Sequence, residues 1–230
     1  MGCEQARAFW VAAPGRGEIR VEPLRDPSAD EVAVRALFSG ISRGTEALVF
    51  HGRVPASERV RMAAPFQAGA FPAPVKYGYA SVGTIERGPA ALTGRRAFVL
   101  YPHQTCYVVP AGAVHVLPDA VPPARAVLAA NLETALNGVW DAGLHVGDRV
   151  TIVGAGTVGS LVAYISGRIP ACDVELIDVN PSRESVADAF GVHFATPAAA
   201  RAIATWSSTR AVRRQGSSAR WRLPASRRRS

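Results

Sequence analysis

Cysteine, lysine and long apolar runs are all scarce in this 230-residue chain. Its three cysteines, Cys3, Cys106 and Cys172, are far apart and odd in number, so neither a disulfide framework nor a CxxC zinc site is expected. No stretch reaches the roughly 18 apolar residues of a membrane helix. The opening Met-Gly-Cys-Glu-Gln-Ala has no apolar core of a secretory signal, and Ala6 stands where a myristoylation signal needs Ser or Thr. These absences predict a reduced, cytoplasmic protein without a membrane partner. With 48% hydrophobic and 19% charged residues, a wholly disordered chain is excluded.

Acidic residues are missing altogether from 198–230, which hold nine arginines (Arg201, Arg210, Arg213, Arg214, Arg220, Arg222, Arg227, Arg228 and Arg229) and no lysine. Those nine leave 17 of the 26 basic residues beside all 18 acidic ones in 1–197, a net charge of −1. The overall charge of +8 therefore belongs to a basic tail on a nearly neutral body. Such a tail binds polyanions without specificity, through counterion release. It carries no nucleic-acid-binding module, so no specific nucleic acid is expected as a partner.

Residues 1–122 read as β-rich. Short Val/Ile/Phe runs such as Glu31–Leu37, Ala80–Ile85, Ala97–Tyr101 and Cys106–Val109 alternate with Gly and Pro, which predicts a small barrel or sandwich. Gly52–Pro74 is expected to be a long ordered loop. From Pro122 onward the pattern changes. Ala124–Ala142 has helical spacing with Gly143 at the C-cap position. A buried-strand pattern at Asp148–Val153, the hexapeptide Gly154-Ala155-Gly156-Thr157-Val158-Gly159 and a helix to Gly167 follow. Val174–Asp178 is a second strand, Arg183–Phe190 a second helix and Val192–Ala195 the start of a third strand. The expected architecture is α/β plus β, with domains at 1–122 and 123–197 and a tail at 198–230.

A glycine hexapeptide means little alone, but this one follows a strand, opens a helix and precedes an acid at the end of the next strand, the context of a dinucleotide fingerprint. Gly154 permits the tight turn, Gly156 lets backbone approach a pyrophosphate, and Gly159 allows close packing of helix on strand. With Thr157 and Val158 these residues form the predicted pyrophosphate loop, whose free N–H groups and helix dipole attract the anion. Asp178 is placed to accept hydrogen bonds from the adenosine ribose and to repel a 2′-phosphate, favouring NAD over NADP.

With these residues in place, the chain resembles the medium-chain dehydrogenase/reductase superfamily, the zinc alcohol dehydrogenase-like proteins. The resemblance spans about 1–197. It rests on Ser39-Gly40-Ile41-Ser42-Arg43-Gly44-Thr45-Glu46, Lys76-Tyr77-Gly78-Tyr79-Ala80-Ser81-Val82-Gly83, Val116-Leu117-Pro118-Asp119, Thr134-Ala135-Leu136 and Val146-Gly147-Asp148 leading into the fingerprint. The first two segments look closest to the bacteriochlorophyllide dehydrogenase branch. The resemblance implies a GroES-like N-terminal barrel, a Rossmann domain, and hydride transfer between a nicotinamide and a small alcohol or carbonyl.

The departures bear on mechanism. Zinc-dependent members place their ligands at the positions of Ser42, Tyr79 and Ala130, and a serine, a tyrosine and an alanine do not replace thiolate and imidazole around Zn²⁺. No metal is therefore expected. Without one, Ser42, Thr45 and Tyr79 are the candidates to manage the alkoxide proton by hydrogen bonding, with His51 a more remote relay. Turn-capping for Ser42 and Thr45, and packing for Tyr79, are the competing assignments. His103 and His115 are read as structural, and Glu46 and Glu133 match no ligand position.

Beyond residue 197 the expected Rossmann continuation is replaced by the arginine-rich tail. The chain uses 25 arginines and a single lysine, Lys76, a mark of GC-rich coding in which off-frame reading yields Arg, Ala, Ser, Pro and Trp. From Ala204 onward, the frame built from the third base of each codon and the first two of the next permits a strand, a Gly-rich turn and a helix. The tail is thus expected to be a frameshift product, disordered as translated. The chain is expected not to work as a dehydrogenase. Two other readings remain open at this point: a truncated product without activity, and a basic-tailed binding protein on a degenerate Rossmann scaffold.

Overall fold

The computed structural model describes residues 4–201 and the backbone of one further strand at 212–215; residues 1–3, 202–211 and 216–230 lie outside the described part. The chain divides into two compact units, Met1–Ala130 and Asn131–Ser230.

The first unit opens with a hairpin of β1 (Gln5–Ala13) and β2 (Arg16–Pro23), turned at Pro14-Gly15 with Gly15 at positive φ. Next come β3 (Glu31–Ser39), α1 (Arg43–Phe50), β4 (Ala68–Gly69), β5 (Val75–Lys76), β6 (Ser81–Arg87), β7 (Arg96–Val99), β8 (Cys106–Pro110), β9 (His115–Val116) and α2 (Pro123–Ala126). The strands form one sheet of order β2-β1-β5-β4 and another of order β8-β3-β6-β7-β9. The expected closed barrel is not formed among the described residues. Instead β1 reaches the second sheet's margin through Phe9 N–H to the His103 carbonyl and Thr105 N–H to the Arg7 carbonyl.

Val32, Val34, Ile85, Val99, Tyr107 and Val109 fill the core of the five-stranded sheet, as apolar residues on one pleated face must. Gly83 is required in β6, because a Cβ there would stand 2.3 Å from the Arg35 carbonyl oxygen on β3. The loop between α1 and β5 is ordered, as anticipated, and it contributes Val54 and Phe71 to a core with Val11, Val49, Val75 and Tyr77.

The helix α3 (Ala129–Ala142), which begins two residues before the second unit, leads through Gly143, at φ +57°, to β10 (Arg149–Val153). There follow α4 (Thr157–Ser166), β11 (Asp173–Ile177), α5 (Glu184–Phe190) and β12 (His193–Ala195). The single helix expected over Ala124–Ala142 is broken between α2 and α3. The parallel strands lie in the order β12-β11-β10, the 3-2-1 half of a Rossmann sheet. Val150, Ile152, Val174 and Leu176 pack with Val162 and Ala163 of α4 and Ala187 of α5.

Two expectations need correction. Val212–Gln215 forms a strand, β13, antiparallel to β10, so the tail is not without regular structure at those residues; the rest of the disorder expectation lies outside the described residues. Cys106, buried at the start of β8, is disulfide-bonded, and only Cys172 is a free thiol among the described residues.

Candidate functional site

The glycine loop combines a strained turn, an open backbone and a close helix–strand approach. Gly154 has φ +100°, a conformation that side chains resist, and its N–H donates to the Ile177 carbonyl at 2.7 Å, tying the end of β10 to β11. Gly156 is the exposed N-cap of α4, with no atom within 4 Å of where a Cβ would be. Gly159 is one turn in, against the Gly154 carbonyl, and Ser160 N–H closes the first helical turn on the Gly156 carbonyl at 2.8 Å. Thr157 is exposed at the head of the helix and Val158 packs toward the core. Backbone is therefore open at Gly156 and dense at Gly159.

Asp178 follows β11 directly. Its Oδ2 accepts from Ala155 N–H at 2.7 Å and its Oδ1 from Asn180 N–H at 2.8 Å, fixing the carboxylate beside the glycine loop. A carboxylate oxygen has two acceptor sites, so each oxygen keeps one for a further donor such as a ribose hydroxyl. The loop and the acid fit a dinucleotide.

The second group of candidates lies in the first unit, on adjacent segments joined by Gly40 N–H to the Ala80 carbonyl at 2.8 Å. Ser42 is the N-cap of α1, but its side chain makes no capping bond; Glu46 reaches back instead and accepts from Ser42 N–H at 2.7 Å. Thr45 stands half-buried in the first turn of α1. Tyr79 is half-buried and meets Tyr77 edge-on at 6.0 Å. Burial, then the neighbouring Tyr79 and Glu46, push the Tyr77 phenol well above its ordinary range. Tyr77 stays neutral and donates to the Met62 carbonyl at 2.8 Å.

His103, read from sequence as structural, lies in the same group, with Nε2 2.6 Å from Glu46 Oε2 and Nδ1 2.5 Å from Ser39 Oγ. No local pattern pointed to it, since its partners are 57 and 64 residues away. His51 and His115 are exposed and apart from these contacts. Ala130, at the third ligand position of zinc-dependent relatives, supplies a methyl group to an apolar cluster with Ala80, Val82, Phe98 and Ala126. Among the described residues no group of three His, Cys, Asp or Glu side chains is arranged to hold a metal ion.

Comparison with known proteins agrees with this architecture. The chain has the fold of the medium-chain dehydrogenase/reductases. It superposes with a TM-score of 0.69 on an Escherichia coli alcohol dehydrogenase complexed with NADH, at 19% identity over 85% of this chain and 63% of that one. A zinc-binding dehydrogenase from Sinorhizobium meliloti bound to NADP gives 0.69 at 18% identity, covering 86% and 64%. The quinone oxidoreductase of Thermus thermophilus gives 0.63 at 21% identity, covering 83% and 59%. In sequence, 94 residues are 32% identical to a 2-dehydro-3-deoxy-L-galactonate 5-dehydrogenase of Pseudoalteromonas atlantica, covering 41% of this chain and 27% of that protein. The chain thus spans less than two thirds of each of these relatives. No family model matches. Among the described residues no helix is long and apolar enough to cross a membrane.

Proposed function

We propose that this chain carries the architecture of a zinc-independent, alcohol dehydrogenase-like oxidoreductase that prefers NAD to NADP, with a GroES-like first unit and a partial Rossmann second unit. The carrying observation is the pairing of the open Gly156 backbone with the Asp178 carboxylate held beside the loop at Ala155 N–H. Gly154, Gly156, Thr157, Val158 and Gly159 would hold the pyrophosphate and Asp178 the ribose. The nicotinamide, when bound, supplies hydride acceptance from an alcohol or donation to a carbonyl. Ser42, Thr45 and Tyr79 would donate and accept hydrogen bonds at the substrate oxygen, which zinc stabilises as a Lewis acid in metal-dependent members.

In this proposal residues from about 198–204 onward are the product of a displaced reading frame, and the chain as translated is not a working dehydrogenase. The three parallel strands among the described residues support the adenosine half of a dinucleotide site. Titration with NADH and with NADPH tests the reading. NADH should bind more tightly, and Asp178→Ala should narrow the difference by about tenfold, the size of one lost charge-assisted contact. Tighter NADPH binding by the unmodified chain would remove the assignment of Asp178.

A further inference from the structure

The segment between β7 and β8 brings His103 into a line of three side chains that the dinucleotide site does not use. Nε2 and Glu46 Oε2 are 2.6 Å apart, and Nδ1 and Ser39 Oγ are 2.5 Å apart. A carboxylate only accepts, so Nε2 carries the proton toward Glu46, and Nδ1 is left to accept from the Ser39 hydroxyl. Glu46 and His103 are each held from behind. Glu46 Oε1 accepts from Ser42 N–H, and Gly78 packs so close that a Cβ there would lie 3.0 Å from the imidazole Cδ2 and 3.1 Å from Nε2. The His103 N–H donates to the Tyr77 carbonyl and its carbonyl accepts from Phe9 N–H.

Nucleophile, base and orienting acid within hydrogen-bond reach form the arrangement that activates a hydroxyl. Access is graded along the line. The side chains of His103 and Glu46 are 15% and 13% exposed, whereas Ser39 ends β3 at the surface. Leu37, Phe38 and Ile41, exposed by 47%, 45% and 75%, bracket Ser39 in the chain with apolar surface.

We propose that Ser39 is an activated nucleophile that takes the acyl group of small apolar esters, with His103 as base and Glu46 as positioning residue. Ser39 Oγ bonds to the ester carbonyl carbon while its proton passes to His103 Nδ1. The carbon–oxygen bond to the leaving alcohol breaks, and the imidazolium returns the proton to that oxygen. Water then bonds to the acyl carbon while giving a proton to His103 Nδ1. The bond from that carbon to Ser39 Oγ breaks, the carboxylic acid leaves, and the imidazolium returns the proton to Ser39 Oγ. This site is independent of the dehydrogenase reading.

The test incubates the full chain with p-nitrophenyl butyrate, following p-nitrophenolate release by absorbance and the butyryl adduct by peptide mass spectrometry. A butyryl group on Ser39 is expected. Ser39→Ala should lack it, Ser39→Cys should regain it, and His103→Gln should acylate about a hundredfold more slowly, the span of a lost general base. Glu46→Gln should slow acylation by about tenfold and convert the single Nε2–H tautomer of His103, read from ¹⁵N shifts, into a mixture. Ser185→Ala, in the second unit, should react as the unmodified chain does. Absence of an adduct on Ser39, or an undiminished rate in His103→Gln, overturns the proposal. Should His103→Gln fail to fold, the Ser39→Ala and Ser39→Cys pair, altered only at a surface hydroxyl, still decides it.

Discussion

Gly159 and Gly154 meet through backbone alone: a Cβ on Gly159 would stand 1.9 Å from the Gly154 carbonyl oxygen. That approach sets the start of α4 against the end of β10 and fixes where the first free N–H groups of the helix point. Gly156, three residues earlier, has open space at the same position. The two glycines should therefore respond differently to one methyl group. Gly159→Ala should destabilise the chain by about 1–3 kcal/mol, the cost of overpacking, and weaken dinucleotide binding with it. Gly156→Ala, at φ −74°, should leave the thermal midpoint unchanged while weakening binding, because only the ligand's approach is obstructed. Thermal melts and NADH titration of both variants check this, and equal destabilisation by the two would contradict it.

Lys76, only 6% exposed, ties the first unit together. Its ammonium donates to Glu22 Oε2 at 2.6 Å and Gln104 Oε1 at 2.7 Å, and Glu22 also accepts from Trp10 Nε1 at 2.6 Å. Burial raises the Glu22 carboxyl, but hydrogen bonds from Lys76 and Trp10 outweigh it and hold the group below its ordinary value. A carboxylate depressed in this way stabilises the fold above its unfolded value near 4.5, and the contribution is lost as pH falls through its folded value. Lys76→Met should cost about 2–4 kcal/mol at neutral pH, somewhat less than a fully buried pair, because Glu22 keeps partial access to water. Urea unfolding at pH 7 and at pH 3 should show the gap between variant and unmodified chain shrinking in acid.

How much was legible in the sequence depended on how local each feature is. The glycine loop and Asp178 lie within 25 residues of one another and are joined by one strand–helix–strand unit, so spacing alone located them. The break between α2 and α3 was missed because apolar spacing runs through it. Val127 there packs over Gly40, where a Cβ would lie 2.8 Å from its side chain, a tertiary contact that no local pattern carries. The Ser39–His103–Glu46 line was missed for the same reason. It exists only because β3, α1 and the segment before β8 are brought together by sheet pairing of Glu31–Arg35 with Cys106–Pro110. The run of short strands left barrel and sandwich open, because strand count does not distinguish one closed sheet from two open ones, and the barrel was what the family resemblance implied.

Zinc should be absent from the purified protein at stoichiometric level. Ser42 offers a hydroxyl and Tyr79 a phenol in place of thiolate and imidazole, and Ala130 has no donor in its side chain. Elemental analysis after dialysis is the measurement. One zinc per chain would mean that other residues hold the metal, with Glu46, His51 and Glu133 the first to substitute.

The edge of β10 supplies the last prediction. In a Rossmann sheet of order 3-2-1-4-5-6 that edge receives a fourth parallel strand, delivered by a crossover. Here Val212–Gln215 occupies it antiparallel, with Arg213 and Arg214 opposite Thr151 and Val150. The strand is only four residues long, and sheet stability comes from packing of the faces more than from strand count. Ending the chain after Arg201 keeps the residue whose N–H donates to Glu175 Oε1 at 3.2 Å on β11, while removing β13. That shortened chain should melt within about 2 °C of the unmodified one, a change below about 1 kcal/mol. Both should lack NAD-dependent turnover of alcohols. Resequencing of the gene across codons 198–204 should then reveal a displaced frame that encodes strand, Gly-rich turn and helix. Robust turnover by the 230-residue chain, or a large loss of stability on removing β13, would show instead that the arginine-rich segment is a working part of this fold.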